Sequence, residues 1–183
     1  GFPWWAALIA AMAASAAFAV VLGIPTLQLR GDYLAIVTIA AAEIVRLLLL
    51  STTWIETTGS ADGLVAYAND FRDINPFPNG DYGFGPWSYT ANQFWVLLFG
   101  LVVLALSALL IWRLVNSPWG RVIKGIREDE DAVRSLGKNV FAYKMQALVV
   151  GGVIAGLGGA LYVLPSSANP MLFATSLTFF VWT

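Results

Sequence analysis

Two residue types are missing from this 183-residue chain: it has no cysteine and no histidine. The first absence excludes disulfides and thiolate metal sites. The second removes the commonest general base and the commonest metal ligand. Charge is scarce too. Only 11% of the residues are Asp, Glu, Lys or Arg, against roughly 25% in a soluble domain. The net charge of −1 gives no global pull toward nucleic acid. No G-x-x-x-x-G-K-[ST] loop is present, so the chain lacks the phosphate cradle of an ATPase. Gly80, Gly83 and Gly85 have no Lys-Ser/Thr after them and read as turn glycines. What the chain has instead is apolar bulk: 58% hydrophobic residues and a mean hydropathy of +0.73. That places it in the membrane class.

A membrane-crossing helix needs about 20 mostly apolar residues. Four stretches qualify, approximately 4–22, 33–50, 94–112 and 145–164. Residues 170–183 form a fifth, partial run, either the start of a span or a re-entrant segment. The first stretch lacks a cationic start and a small-residue cleavage site, so it reads as a span and not a signal peptide. Pro25 is expected to break it. The chain starts at Gly1 and stops inside the apolar run Phe179–Thr183, so both ends look cut. The expected fold is an all-α, polytopic transmembrane helical bundle, one transmembrane domain over 1–183 and a fragment of something longer.

Charge is distributed unevenly between the runs. The segment 51–93 is rich in Gly, Pro, Asn and aromatics, as in "INPFPNGDYGFGPW", which favours turns over long helices. It carries Glu56, Asp62, Asp70, Asp73 and Asp81 against the single base Arg72. The segment 113–144 holds seven of the ten Lys/Arg residues. The positive-inside rule puts 113–144 in the cytoplasm and 51–93 outside. The first span then runs inward, the second returns, the third enters and the fourth leaves. Arg30 falls inside, in agreement.

Within 113–144, "GRVIKGIREDEDAVRSLGKN" (Gly120–Asn139) has nine charged residues out of 20. Ser117-Pro118 is a helix start, with Ser as N-cap and Pro at the first helical position. Val122, Ile126, Val133 and Leu136 fall near one helical face, with Ile123 flanking. Arg127–Asp131 and Glu130–Arg134 are i,i+4 pairs, each contributing about 0.2–0.5 kcal/mol. Gly137 suits a left-handed cap. The pattern predicts a short, amphipathic, charged helical piece. It serves either as a solvated connector or as a helix presented to a partner's groove, and patterning does not choose between them.

The same stretch, extended to "GRVIKGIREDEDAVRSLGKNVFAYK", resembles the cytoplasmic loop of the permease subunits of branched-chain amino-acid ABC importers. The matching residues are Gly120, Arg121, Ile126, Arg127, Glu128, Asp129, Glu130, Ala132, Leu136, Gly137, Asn139, Val140, Tyr143 and Lys144. Other stretches are similar to that family in the same order: Leu27–Leu49, Thr58–Leu64 ("TGSADGL"), Ala155–Tyr162 ("AGLGGALY") and the Asn169-Pro170 turn. Lys138 departs from the pattern, standing where the family usually has an apolar residue, and 65–86 has no recognisable motif. The family's permeases are longer, with more spans on both sides. The resemblance implies an ATPase-coupling loop made by Gly120, Arg121, Ile126, Arg127, Glu128, Asp129, Glu130, Leu136 and Gly137. It implies ATP-binding ABC subunits, a second permease subunit and an external substrate-binding protein as partners, in the bilayer of the bacterial inner membrane. ATP would be bound by the partner subunits, with no cofactor, metal or catalytic residue in this chain, and no nucleic acid as partner.

Several polar or small residues lie in the apolar runs. Glu43 and Arg46 share a face at i,i+3, with Thr38 about a turn and a half earlier. They either line a pathway or form a structural pair, or Arg46 reaches the interface. Gly152, Gly156 and Gly159, with Gly151, Ala155 and Ala160, give small-xxx-small spacing that suits close helix packing or a sliding interface. Arg30-Gly31-Asp32 is either a plain helix cap or a helix break near the pathway. Trp4, Trp5, Trp54, Trp87, Trp95, Trp112 and Trp119 sit near run ends, as an interfacial belt would.

The expected function is thus a transport subunit moving a branched-chain or related amino acid inward. The rival is an ion-coupled secondary transporter or channel-like protein using Glu43 and Arg46. A membrane enzyme using Asp70, Asp73 and Asp81 is disfavoured by the lack of His, Cys and a paired-acid motif.

Overall fold

The computed structural model describes residues 3–27, 31–51, 63, 69–84, 87–165 and 168–173. Arg30, Trp54, Glu56, most of Thr58–Leu64 and the run 174–183 lie outside the described residues, as do the side chains of Asp32 and Trp87. Helix dominates. Four long helices are α1 (Trp4–Thr26), α2 (Gly31–Leu50), α4 (Ala91–Asn116) and α7 (Val140–Val163). Between α2 and α4 lie the short helix α3 (Asn69–Asp73) and an antiparallel hairpin of β1 (Asp81–Phe84) and β2 (Trp87–Thr90), in register Asp81 to Thr90. Two short helices, α5 (Pro118–Glu128) and α6 (Glu130–Ser135), join α4 to α7, and a 3-10 turn covers Pro170–Phe173.

Among the described residues, α1, α4 and α7 are long and apolar enough to cross a membrane. The 20 residues of α2 rise about 30 Å, the thickness of the hydrocarbon core. Apart from the Glu43–Arg46 face of α2, these helices are largely apolar and expose many Leu, Ile and Val side chains, as lipid-facing helices do. Helix α4 starts ahead of the apolar run because Thr90 and Gln93 form a reciprocal capping box. Pro25 does not break α1. The helix carries through it to Thr26. The missing N–H costs one hydrogen bond near the end, and the last turn is closed by Leu27 N–H to Gly23 O (3.0 Å) and Thr26 Oγ1–H to Leu22 O (2.6 Å).

The most extensive packing is between α1 and α7. A methyl group on Gly152 would meet Ala19 Cβ at 3.0 Å and Ser15 O at 3.3 Å; one on Gly156 would run into Ser15 and approach Ala11 O at 3.2 Å. One on Gly23 would crowd Leu148 and Met145. Small residues therefore line both helices, with Ala11, Ser15, Ala19 and Gly23 at i+4 steps along α1. That spacing keeps them on one face and lets the two backbones approach. A methyl group on Gly159 would lie 3.8 Å from the ring of Phe173 in the 3-10 turn, in ordinary contact.

At one end of the bundle Phe71 is almost wholly buried (1% exposed) against Trp4, Trp95, Phe99 and Leu164. Its ring meets Trp4 and Phe99 edge-on at 5.4 and 5.2 Å and stacks on Trp95 at 5.8 Å. A second aromatic group, Phe77, Tyr82 and Phe94, holds the hairpin on α4. Trp4 and Trp95 thus work as packing residues, while Trp5 and Trp112 stand exposed at 55% and 63%.

Candidate functional site

The charged elbow between α4 and α7 is built from local rules. Ser117 accepts from Gly120 N–H (3.3 Å) and donates to Leu114 O (2.6 Å), capping α5 while closing α4. Pro118 occupies the first helical position. Gly120 is buried against the backbone of Leu114 and Val115, so a side chain there would clash. Along α5, Val122, Ile123 and Ile126 turn inward, while Arg121, Lys124, Arg127 and Glu128 are exposed.

The elbow is two helices, not one piece. Asp129 leaves helical geometry (φ −151°, ψ 103°), and its Oδ1 accepts from Ala132 N–H at 2.9 Å. An aspartate offers the backbone this alternative to continuing a helix. The break changes the expected register. Asp131 pairs with Arg134 at 3.2 Å instead of with Arg127, while Glu130 pairs with Arg134 at 2.9 Å as the spacing predicts. Val133 stays partly buried, but Leu136 leaves the apolar face and is 79% exposed. Gly137 ends α6 at φ +76°. Its N–H donates to Arg134 O (3.0 Å), and that of Lys138 donates to Val133 O (3.4 Å). This is the Schellman pattern that a left-handed glycine permits. Asn139 then caps α7 by accepting from Ala142 N–H at 3.1 Å.

Two ties fasten the elbow to α7. Trp119 Nε1–H donates to Gln146 Oε1 at 2.8 Å, and Lys144 Nζ donates to Glu130 Oε2 at 2.5 Å. Neither tie is visible as local spacing, since the partners lie 27 and 14 positions apart. Among the described residues, Arg121, Lys124, Arg127 and Lys138 enter no ion pair. The elbow is therefore a rigidly capped body with exposed charge and one exposed leucine.

In α2, Arg46 grips Glu43 through two hydrogen bonds, Nε to Oε2 at 3.0 Å and Nη2 to Oε1 at 2.5 Å. Such a fork offsets much of the cost of bringing the two charges into an apolar helix. Thr38 is placed elsewhere. It lines an open apolar groove of about 550 Å³ with Ser15, Ala19, Leu148, Gly152 and Gly156, and its hydroxyl donates to Ala35 O at 3.0 Å. Glu43 and Arg46 are not among the groove's lining residues. Asp70, Asp73 and Asp81 are all exposed on α3 and β1.

Residues 1–183 match the family described as branched-chain amino acid transport system / permease component. The chain is 37% identical over 173 residues to the high-affinity branched-chain amino acid transport system permease protein LivM of Salmonella typhimurium, covering 88% of this chain and 40% of that protein. It is 36% identical to the protein of the same name from Escherichia coli, with the same coverage. It is 30% identical over 141 residues to a probable branched-chain amino acid transport permease protein LivM of Methanocaldococcus jannaschii, covering 77% of this chain and 36% of that one. The chain thus spans about 40% of the length of the enterobacterial relatives. No solved structure matches it. The charged elbow, the apolar helices and the match along the whole chain agree: the chain belongs to the branched-chain amino acid transport permease family.

Proposed function

We propose that this chain forms part of the membrane pathway of an ABC importer and moves a branched-chain amino acid inward, driven by ATP hydrolysed on separate subunits. The carrying observation is the elbow: a capped, two-helix body whose Arg121, Lys124, Arg127 and Glu128 are exposed, at the junction of two long apolar helices. A solvated connector does not need four caps and two ties to a neighbouring helix. A lever that receives force from a soluble ATPase does. Gly120, Ile126, Asp129 and Gly137 shape that lever, and Arg121, Arg127, Glu128 and Leu136 are the residues offered to the partner.

The excess of Lys and Arg in 113–144 supports a cytoplasmic elbow and an outer 51–93, which on this reading faces a substrate-binding protein. A second permease subunit completes the pathway. The relatives' names support a branched-chain amino acid as the solute, and the apolar groove at Thr38 suits an aliphatic side chain. Glu43 and Arg46 satisfy one another, which fits a structural pair better than an ion-coupling site.

The test uses the full-length protein expressed with its ATPase and binding-protein partners. Reversing Arg127→Glu and Glu128→Lys together is expected to reduce ATPase co-purification and transport while membrane insertion is kept. Normal transport by the reversed protein would remove these residues from the contact. Reaction of a cysteine placed at Ala132 with an impermeant reagent added to intact cells would overturn the sidedness.

A further inference from the structure

Glu130 differs from the other acids of the elbow in bonding beyond it. Its two carboxylate oxygens divide the work: Oε1 accepts from Arg134 within α6, and Oε2 accepts from Lys144 on α7. Glu130 and Lys144 are about one-third exposed, against 89% for Asp131. Charge pairs away from bulk water are held more firmly than those in it. The Trp119–Gln146 bond lands two residues further along α7, so α5 and α6 both grip the same stretch. Beyond that stretch, α7 lies along α1 through the small residues Gly152 and Gly156. A smooth seam of this kind permits the small sliding that packed helices undergo in shear motions.

We infer that Glu130 is a positioning residue, a strut that locks α6 to α7 so that displacement of the elbow moves α7 along α1. This rests on the importer reading above, but it separates Glu130 from Arg127 and Glu128: they meet the partner, and Glu130 holds the elbow to the bundle. Arg134 keeps the Glu130 carboxylate aimed, and Lys144 receives it.

The test is made on the full-length transporter with Glu130→Gln, Lys144→Gln, the double variant and Lys144→Arg. Both single variants are expected to keep ATPase co-purification and ATP hydrolysis, while solute moved per ATP falls about fivefold, a modest coupling between sites. The double variant should lose no more than either single one, as for two residues that act as a unit. Lys144→Arg should restore the ratio, which a merely space-filling role would not require. Loss of co-purification in Glu130→Gln but not in Lys144→Gln would make Glu130 a docking contact and overturn the strut.

A second measurement is independent of transport. Residues 1–183 contain no native cysteine, so once any cysteine elsewhere in the full-length protein is replaced by serine, spin labels at Ala132→Cys and Gly158→Cys report α6 against α7; a side chain on Gly158 meets nothing within 4 Å. The distance distribution should be narrow in the parent and in Lys144→Arg, and broad in both Gln variants. A distribution that stays narrow in Glu130→Gln would overturn the strut. A broadened one in a protein that binds no ATPase would sink the importer reading and leave the strut standing.

Discussion

Asp129 interrupts what its neighbours would otherwise continue as one helix. Its backbone leaves the helical region while its carboxylate satisfies Ala132 N–H, an amide that the break itself orphans. Asp129→Ala should therefore destabilise α6 by about 1 kcal/mol, and Asp129→Asn by much less, since asparagine also caps. Hydrogen exchange at the Ala132 amide checks this. It should quicken about fivefold in the alanine variant, on the relation of 1.4 kcal/mol to a tenfold change. The caps Ser117, Gly137 and Asn139 obey rules with a reach of three or four residues. Ser117 and Gly137 were legible in the sequence for that reason. In the sequence Asp129 is one charge among nine and one residue of the family-like loop, and its capping role is not legible, because a carboxylate inside an acidic run has the same spelling whether it caps or is merely solvated. The pairing of Lys144 with Glu130 is not legible in the sequence, because the two lie fourteen positions apart.

Helices α1 and α7 show how packing in an apolar solvent differs from packing in water. Lipid is as apolar as a leucine side chain, so association depends on close contact between backbones. The glycine spacing of α7 was readable, but not which helix it meets, nor that Ala11, Ser15, Ala19 and Gly23 form the opposing row. Gly156→Ala should destabilise the bundle by about 1–3 kcal/mol through overpacking against Ser15 and Ala11 O. Ser15→Gly in the same chain should recover part of the loss, because it removes the nearer obstacle. Gly151→Ala should be harmless, since a methyl there meets nothing within 4 Å. Thermal unfolding in detergent, followed by circular dichroism, distinguishes the three.

The chain as a whole is a multi-pass helical bundle of the inner membrane. One end is tied by the elbow and the other by an aromatic cluster. Phe71 brings together the start of α1, the start of α4 and the end of α7, through Trp4, Trp95, Phe99 and Leu164. Phe71→Ala should cost about 3–5 kcal/mol, as for large-to-small changes in a closed core. It should also expose 69–90 to proteolysis, and a limited-proteolysis time course on membrane vesicles reads this directly. A weaker effect at Phe77→Ala is expected, since Phe77 contacts the hairpin side of α4 and is only partly buried.

Length, hydropathy and charge placement settled the helical membrane class, because each follows from composition within one segment and the bilayer imposes a single solution on apolar runs. Motif order along the chain carried the family. Which small residues face each other, that Pro25 sits inside a helix, that Thr38 and the Glu43–Arg46 pair do not share a lining, and that Glu130 reaches Lys144 were decided by the folded arrangement. Those facts depend on the rotation of one helix about its axis relative to another. In lipid that rotation is chosen by shape and by a few polar contacts between distant residues, and periodicity within a single helix does not encode it.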